Sequence, residues 1–275
     1  MKEQILFVIT WLLPVIALLE TLFYSKKDSY HIKETLSNVF IYVFRRWFIV
    51  FLQKTIQISL LSFFYRIAPN KLSYSFLNFL LALLLVDFLY YCKHYCEHKV
   101  RILWTFHSVH HSSNEFKLST ALRLPWFGAI FTWVFYIPAV LIGFNPALIF
   151  LCSQLVLLYQ FWIHSDKIPK LGLLERYFNT PSHHRVHHAS NKVYLDKNFG
   201  GILMIWDRLF GTMAIEDRPI IYGLTKPLKS SNPLDIMFYE FKNFIKDIKK
   251  APSLKEAIKI CYNAPGYRPK NNSID

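Results

Sequence analysis

The distribution of histidine constrains this chain more than any other feature of its sequence. Ten of the eleven histidines lie between residues 94 and 188, in three dense clusters with one isolated residue before the third. Buried imidazoles without partners are costly, so this density indicates that the rings share a common ligand. The clusters and the isolated residue are His94 and His98; His107, His110 and His111; His164; and His183, His184, His187 and His188.

Each cluster has the spacing of one helical face. Residues four apart differ by about 40° around an α-helix, so His94 and His98 point two rings in one direction. His107 and His111 share a face in the same way, and His110 adds a third ring about 60° away. Because one first-row metal takes about four to six ligands, eight or more imidazoles predict two metal ions. The third cluster repeats the spacing with His184, His187 and His188.

Residues near the clusters extend the prediction. Asp87 and Tyr91 lie on the same helical stripe as His94 and His98, so the Asp87 carboxylate could accept a hydrogen bond from a ligand imidazole and fix its tautomer. His164 follows an apolar run and is predicted to be a further ligand. His31 stands apart from every cluster and is interpreted as a polar loop residue.

Composition places the chain in a lipid bilayer. It is 53% hydrophobic and only 18% charged, with a mean hydropathy of +0.23, which is unusual for a soluble domain. Apolar stretches of the length that a membrane span needs occur near residues 5–24, 47–65 and 74–92. A longer stretch, 126–163, is broken at Gly143, Asn145 and Pro146 and predicts a helical hairpin. We therefore expect an all-α, polytopic membrane protein with about four to five membrane helices.

The stretch 47–65 is open to two interpretations. It contains Gln53, Lys54 and Gln57, so it fits either a membrane span or a helix lying along the bilayer interface.

Basic residues in the connections predict the orientation in the membrane. Five lie between the first two apolar stretches, whereas only Arg66 and Lys71 lie between the second and third. The positive-inside rule then places residues 25–46 in the cytoplasm, together with all three histidine clusters in a cytoplasmic helical cap. The first stretch has no small-residue cleavage site and is predicted to be an anchor. The five basic residues are Lys26, Lys27, Lys33, Arg45 and Arg46.

The net charge of +14 raises the question of a polyanionic partner. Eighteen of the 32 lysines and arginines follow residue 164, where they accompany apolar segments, so anionic lipid headgroups are predicted and nucleic acid is not. Residues 233–250 predict an amphipathic helix, which lies on the bilayer or packs on the protein's own cap. The four cysteines form no C-x-x-C pair, and no internal repeat is visible, so residues 1–275 are treated as one domain.

Two other classes of function fit part of the pattern. His94, Glu97 and His98 match the inverted zinc-peptidase motif H-x-x-E-H, in which the glutamate is the general base. Such a site needs about three protein ligands and leaves the other clusters unexplained. A membrane protein that handles zinc or iron is a second alternative, although transporters place their ligands near the bilayer midplane and not at helix ends.

The segments around the histidines carry a resemblance to a known family. The chain resembles the fatty acid hydroxylase and sterol desaturase superfamily, and within it the alkylglycerol monooxygenase group with its bacterial members, over roughly residues 85–225. The segments that carry this resemblance are HHSS at 110–113, LSTALR at 118–123, YQFWIH at 159–164, NTPSHHRVHH at 179–188, YLDKNFGG at 194–201 and IWDRLFGT at 205–212.

This resemblance implies an integral membrane enzyme whose catalytic region is 85–225. It implies that the ten histidines between residues 94 and 188, His164 and His183 included, hold two non-haem iron ions, and that O2 is used to hydroxylate or desaturate a C–H bond of a lipid substrate. Electrons would come from tetrahydrobiopterin or from an electron-transfer protein. Asp87, Asn191, Tyr194 and Asp196 are candidates for supporting the ligands or lining the pocket.

Overall fold

Helices account for all the regular structure in the computed structural model, which describes residues 2–25 and 31–269. The described residues contain no β-strand, only two isolated bridges, so the all-α prediction is confirmed. Short 3-10 turns occur at 118–122, 132–136 and 172–176, and a π-helical turn at 45–49. The α-helices are α1 (Lys2–Ser25), α2 (Ile32–Phe44), α3 (Val50–Arg66), α4 (Phe76–Lys99), α5 (Arg101–His111), α6 (Gly128–Phe131), α7 (Ile137–Ile142), α8 (Pro146–Trp162), α9 (Pro181–His187), α10 (Ile205–Leu209), α11 (Pro233–Lys249) and α12 (Leu254–Tyr262).

The packing of α4 against α8 forms the centre of the apolar core. Ala82 and Val86 of α4 and Ile149 and Val156 of α8 are completely buried. The alanine lets the two backbones approach, and the branched side chains fill the space at the density of a protein interior. Both helices end next to histidines, at Lys99 and Trp162, so this contact sets the height of the histidine clusters.

The bundle has two distinct ends. At the far end, the backbone N–H of Leu72 donates to the carbonyl of Gly143 at 2.9 Å. Gly143 has φ +117°, and a Cβ there would lie 2.7 Å from the carbonyl oxygen of Asn70, so this turn requires glycine. At the histidine end, Glu20 of α1 accepts from the N–H of Leu118 at 2.8 Å. The C-terminal end of α1 and the N-terminal end of α2 therefore lie at the same end of the bundle as the histidines.

The predicted membrane stretches are only partly matched by long helices. Within the described residues, α4 is the one helix long and apolar enough to cross a bilayer, with a mean hydropathy of 1.7 over its best window. Trp11–Tyr24, Trp133–Ile142 and Pro146–Trp162 are apolar but shorter. The predicted break at Gly143 is present, yet the arm before it is divided into α6, a 3-10 turn and α7. Pro138 explains this division, since its ring removes an N–H and clashes with the preceding turn.

Helix α11 packs on the protein itself. Ile236 and Met237 are buried against Val109 of α5, together with Ile41 and Trp126. Of the two alternatives for residues 233–250, the structure therefore favours packing on the cap over a helix lying free on the bilayer. An ion pair between Arg101 and Glu240 joins the same two helices.

A buried arginine ties the start of the bundle to the histidine end. Arg123 is 2% exposed, and its guanidinium donates to Glu34 at 2.8 Å, to Asn38 at 2.6 Å and to the Ser112 hydroxyl at 3.0 Å. Glu34 and Asn38 belong to α2, whereas Ser112 follows the last histidine of α5. The network thus fixes α5 relative to α2.

Replacement of Arg123 tests this network. We expect Arg123→Met to lower the free energy of unfolding by about 3–5 kcal/mol, because it leaves the buried Glu34 carboxylate without its cation. Thermal unfolding in detergent measures the effect. Arg268→Met, at an ion pair whose arginine side chain is 63% exposed, is the matched control and should change stability little. Equal midpoints for the two variants would contradict the assigned role.

Candidate metal centre

The first two clusters meet because α4 and α5 are consecutive helices joined at Val100. Helix α4 is capped at its N-terminus by Ser75, whose hydroxyl accepts from the Asn78 N–H, and it ends where the Val100 backbone becomes extended. Helix α5 then folds back against α4 and brings its histidines alongside those of α4. One nitrogen from each of five histidines lies within 4.8 Å of the others; we call this group 1, and it consists of His94, His98, His107, His111 and His187.

A second group of four histidines lies beside the first. It forms where α5, the end of α8 and the short helix α9 meet, and its ligand nitrogens also lie within 4.8 Å of one another. The third cluster contributes His187 to group 1 and His184 and His188 to group 2, and each group draws on at least two distant segments. We call these residues group 2; they are His110, His164, His184 and His188.

The nitrogen spacing within the groups fits metal coordination. The Nε2 atoms of His94 and His107 are 3.0 Å apart, and those of His107 and His111 are 3.2 Å apart. In group 2, Nε2 of His164 lies 3.1 Å from that of His110 and 3.0 Å from that of His184. Two nitrogens that each bind one ion at about 2.1 Å, at right angles, are about 3.0 Å apart.

Several ring nitrogens at the centre have no hydrogen-bond partner among the described residues. The Nε2 atoms of His98, His187 and His188 are fully buried and have no such partner. A buried polar atom without a partner costs about 1–3 kcal/mol, so a cluster of them is expected only where another group satisfies them. An all-imidazole donor set suits iron, zinc or copper, and the residues present therefore fit a pair of transition-metal ions.

The outer nitrogens of the rings are held by backbone carbonyls. Nδ1 of His94 donates to the carbonyl of Phe199 at 2.9 Å, and Nδ1 of His187 donates to that of Lys197 at 2.9 Å. His164 uses the Gln160 carbonyl, one helical turn earlier, at 2.6 Å. Such a bond fixes the tautomer and leaves the opposite nitrogen free to bind a metal.

Two carboxylates hold further rings of group 1. Asp196 lies 3.5 Å from Nδ1 of His98, and Glu97 lies 3.5 Å from Nδ1 of His107. Glu97 also pairs with Lys93 at 2.9 Å. A carboxylate behind a ligand imidazole increases its basicity and orients the ring.

Burial keeps the histidines neutral, which is the form that binds metal. Desolvation lowers the pKa of His107, His111 and His188 well below the usual value, and neighbouring imidazoles lower it further. Burial lowers the pKa of His164 to about 4, against the opposing effect of its bond to the Gln160 carbonyl. At neutral pH these rings therefore offer lone pairs and carry no repelling charge.

The loop that carries Lys197 and Phe199 is held by two buried aspartates. Asp207 accepts from the N–H groups of Phe199 and Gly200 at 2.8 and 2.7 Å. Asp87 accepts from the N–H of Ile202 at 2.6 Å and from the Trp206 indole at 2.8 Å. These bonds set the position of the two carbonyls that orient His94 and His187.

The structure brings together nine of the ten histidines between residues 94 and 188. His183 belongs to neither group, although it precedes His187 by one helical turn. Its Nδ1 lies 3.3 Å from the Phe178 carbonyl and 3.4 Å from the Thr180 hydroxyl, and these contacts hold the ring at the start of α9. His31 contacts Glu115 at the surface, as expected of a polar loop residue.

The four residues predicted to support the ligands or line the pocket have different contacts. Asp196 contacts His98, as noted above. The expected bond from Asp87 to an imidazole is absent, because its carboxylate is used by the loop before α10. Asn191 bonds the backbone of Pro219 and Ile221. The Tyr194 hydroxyl bonds the side chain and N–H of Asp217. Asn191 and Tyr194 therefore fasten a neighbouring loop and lie outside the centre.

Several contributors are not predicted from the sequence. The motif analysis gives Glu97 only the role of a peptidase base, although its position just before His98 is a visible signal. Asp207 and the carbonyls of Gln160, Lys197 and Phe199 have no signal in the sequence, since their roles depend on contacts that only the fold creates.

A cavity of about 230 Å³ opens onto both groups. His107 of group 1 and His110 and His164 of group 2 lie in its lining. From His164 it follows α8 back to Phe150, a distance of about 20 Å along the helix axis. Much of the remaining lining is apolar, including Leu13, Leu122, Leu157 and Phe161.

Comparison with known proteins agrees with this geometry. Residues 79–212 match the family model described as fatty acid hydroxylase, and all nine converging histidines lie within that match. This part of the chain, 79–212, is a fatty acid hydroxylase domain by that match. No solved structure matches the chain significantly.

Curated relatives refine the placement within that family. The chain is 41% identical to human alkylglycerol monooxygenase over 188 residues, and 42% identical to the Danio rerio protein of the same name over 189 residues. These matches cover 68% and 69% of this chain but 42% of each relative, so the chain spans about two fifths of their length. An ornithine lipid hydroxylase of Rhizobium tropici is 31% identical over 141 residues, which is 50% of this chain and 42% of that protein.

Metal analysis of single variants tests the two groups. Purified under anaerobic conditions with Fe(II), the unmodified protein should contain about two iron ions per chain. His98→Ala and His188→Ala should each reduce this to about one, because each removes a ligand from a different group. His183→Ala is the matched control, a histidine of the same cluster outside both groups, and should leave the iron content unchanged. Iron loss in His183→Ala, with both ions retained in His98→Ala and His188→Ala, would contradict this assignment.

The Glu97 carboxylate provides a second test. Glu97→Gln preserves the shape of the side chain but removes the charge behind His107, and we expect the affinity for iron to fall about 10–100-fold. Competition with a chelator measures this affinity. Asp235→Asn, at a half-exposed carboxylate on α11, should have no effect. Unchanged affinity in the Glu97 variant would show that this carboxylate does not support the centre.

Proposed function

We propose that the protein is an integral membrane oxygenase in which a non-haem di-iron centre uses O2 to hydroxylate or desaturate a C–H bond of a lipid. Tetrahydrobiopterin or an electron-transfer protein would supply the electrons. The observation that carries the proposal is the convergence of five and four buried histidines beside one elongated cavity. The names of the relatives, a monooxygenase of alkylglycerols and a hydroxylase of ornithine lipid, support the same class of reaction.

The histidines of group 1 would hold one iron ion and those of group 2 the other. When bound, this pair of ions would supply the activation of O2 that attack on an unactivated C–H bond requires. The chain itself holds the ligand rings: the carbonyls of Phe199, Lys197 and Gln160 and the carboxylates of Glu97 and Asp196 fix their directions. The ligand set is therefore preorganised before any substrate arrives.

The cavity would orient the lipid. Its apolar side chains along α8 can bind a hydrocarbon chain and exclude water, while His107, His110 and His164 form the end at which oxidation takes place. Because the lining is contributed by several helices, the chain would be held in one direction relative to both groups. That restriction selects which C–H bond is attacked.

The two alternative functions fit this arrangement less well. A zinc peptidase would need Glu97 to face an open metal position, but Glu97 lies behind His107 and pairs with Lys93. A metal-handling protein would require ligands that exchange easily, whereas these rings are buried and fixed from behind. An oxygenase uses both the fixed ligands and the adjoining cavity.

We also place the protein in the membrane with its histidine end in the cytoplasm. Four to five helical segments, with α4 as the longest apolar one, would cross or enter the bilayer. Near the histidine end, Leu173, Leu209 and Phe210 are 85%, 68% and 52% exposed, and the exposed Arg176 and Arg208 lie beside them. Such a surface suits the boundary between acyl chains and anionic headgroups.

Lipid profiling tests the activity. Host membranes that contain the protein, kept under air, should accumulate an oxygenated or desaturated lipid that is missing under nitrogen. His187→Ala should abolish this product because it removes a group 1 ligand, while the amount of protein in the membrane fraction stays the same. A product that forms equally under nitrogen, or persists in the variant, would refute the proposed reaction.

Thiol labelling tests the orientation. Asn70→Cys lies at the far end of the bundle, and Lys192→Cys lies in an exposed loop at the histidine end. In right-side-out vesicles, a membrane-impermeant thiol reagent should label the first variant above the level of the unmodified chain. It should label the second only after the vesicles are permeabilised. The reverse pattern would place the histidines outside the cell.

A further inference from the structure

Two polar side chains in the cavity lining have no hydrogen-bond partner among the described residues. They are the hydroxyl of Tyr136, which ends the 3-10 turn 132–136, and the amide of Gln57 on α3. Each residue is only 6% exposed, so both side chains are more than nine-tenths buried. A buried tyrosine hydroxyl usually has a partner, so the two groups indicate that something else in the cavity pairs with them.

Other polar groups of the lining already form hydrogen bonds within the protein. The Tyr90 hydroxyl donates to the Gln160 side chain at 2.9 Å. The Ser153 hydroxyl donates to the Phe150 carbonyl at 2.7 Å. The contrast with these neighbours shows that the unpaired hydroxyl and amide are not a general property of the cavity wall.

The charged side chains of the lining also have partners in the protein. Lys93 pairs with Glu97 at 2.9 Å, so these two charges neutralise each other. Nε of Arg45 donates to the Pro125 carbonyl at 3.2 Å, and Arg46 has an interaction of its own. The buried histidines at the end of the cavity are neutral. The hydrogen-bonding capacity left unused in this lining therefore belongs to uncharged groups.

The chemistry of the two groups defines what pairs with them. A tyrosine hydroxyl donates one hydrogen bond and accepts others, and a glutamine amide also does both. An uncharged hydroxyl group matches either of them, since it too donates and accepts. A ligand that pairs a buried polar group gains affinity over one that leaves the group unpaired. The leucines and phenylalanines of the same lining suit a hydrocarbon chain.

We propose that the cavity binds a lipid that carries an uncharged hydroxyl group, with the Tyr136 hydroxyl and the Gln57 amide as hydrogen-bonding contacts and the hydrocarbon chain along the apolar residues. The two contacts come from separate segments and are treated as independent. To call this lipid the substrate rests on the oxygenase function proposed above. The binding preference itself does not depend on turnover.

Two probes of equal chain length test the preference. 1-Hexadecanol and 1-fluorohexadecane differ in one small group, and the fluorine donates no hydrogen bond. The iron-loaded protein is kept under nitrogen in micelles that contain both probes, then purified, and its bound lipid is quantified by gas chromatography and mass spectrometry. Relative to the micelles, we expect retention of hexadecanol to be at least about fivefold higher, the effect of one hydrogen bond to a buried group. Equal retention would overturn the proposal without any variant.

Variants then assign the preference to the two residues. Tyr136→Phe and Gln57→Leu should each lower the retention ratio about twofold or more, and the double variant should bring it close to one. Retention of 1-fluorohexadecane should stay the same, which shows that the cavity persists. Tyr74→Phe, at a tyrosine that is 73% exposed and outside the lining, is the matched control and should not change the ratio. A ratio that survives in the double variant would refute the assigned contacts.

Thermal unfolding without added lipid gives an independent check. Tyr90→Phe removes the bond to Gln160 and should lower the midpoint, whereas Tyr136→Phe removes a hydroxyl that has no partner and should not. An equal fall in both variants would show that the Tyr136 hydroxyl is bonded within the protein, and that result would overturn its role as a ligand contact.

The outcomes separate this inference from the proposed function. A protein that prefers hexadecanol through these residues but never oxidises a lipid would retain the hydroxyl contacts and refute the oxygenase. A protein that oxidises lipids but retains both probes equally would retain the oxygenase and refute the hydroxyl contacts.

Discussion

The structure depends on the packing of nine neutral imidazole rings into one buried space. Among their inward nitrogens, the Nε2 atoms of His98, His187 and His188 have no hydrogen-bond partner among the described residues, and those of His94 and His107 face each other at 3.0 Å. Two metal ions would satisfy them at once, so metal binding and folding at this end of the bundle are expected to be coupled. The long helices can be understood as the frame that holds these rings at one height.

The second requirement is that every ring faces inward. Contacts to the outer nitrogens of the rings keep them in that orientation. Backbone carbonyls hold His94, His187 and His164, while carboxylates hold His98 and His107. Two of those carbonyls belong to one loop, which Asp87 and Asp207 hold by bonds to its N–H groups and the Trp206 indole. The carboxylates of this region thus act in two ways. Glu97 and Asp196 contact the rings directly, whereas Asp87 and Asp207 hold the loop whose carbonyls contact them.

The histidine centre and the cavity are structurally connected because both are built on α8. The helix ends at the centre, and its inner face forms the wall of the cavity for about 20 Å. Under the proposed function, a hydrocarbon chain bound along that wall would meet the histidines of both groups without entering water. The matched family region, 79–212, contains this helix and all nine rings.

The local features can be read directly from the amino-acid sequence, because they depend on residues a few positions apart. The i, i+4 spacing placed His94 with His98 and His107 with His111, and the break at Gly143 was visible in the sequence. The tertiary structure alone decided how nine rings divide into groups of five and four, that His184 faces inward while His183 does not, and that Asp87 serves a loop. Those outcomes follow from contacts between segments up to about a hundred residues apart, and a helical period does not specify which face of one helix meets another.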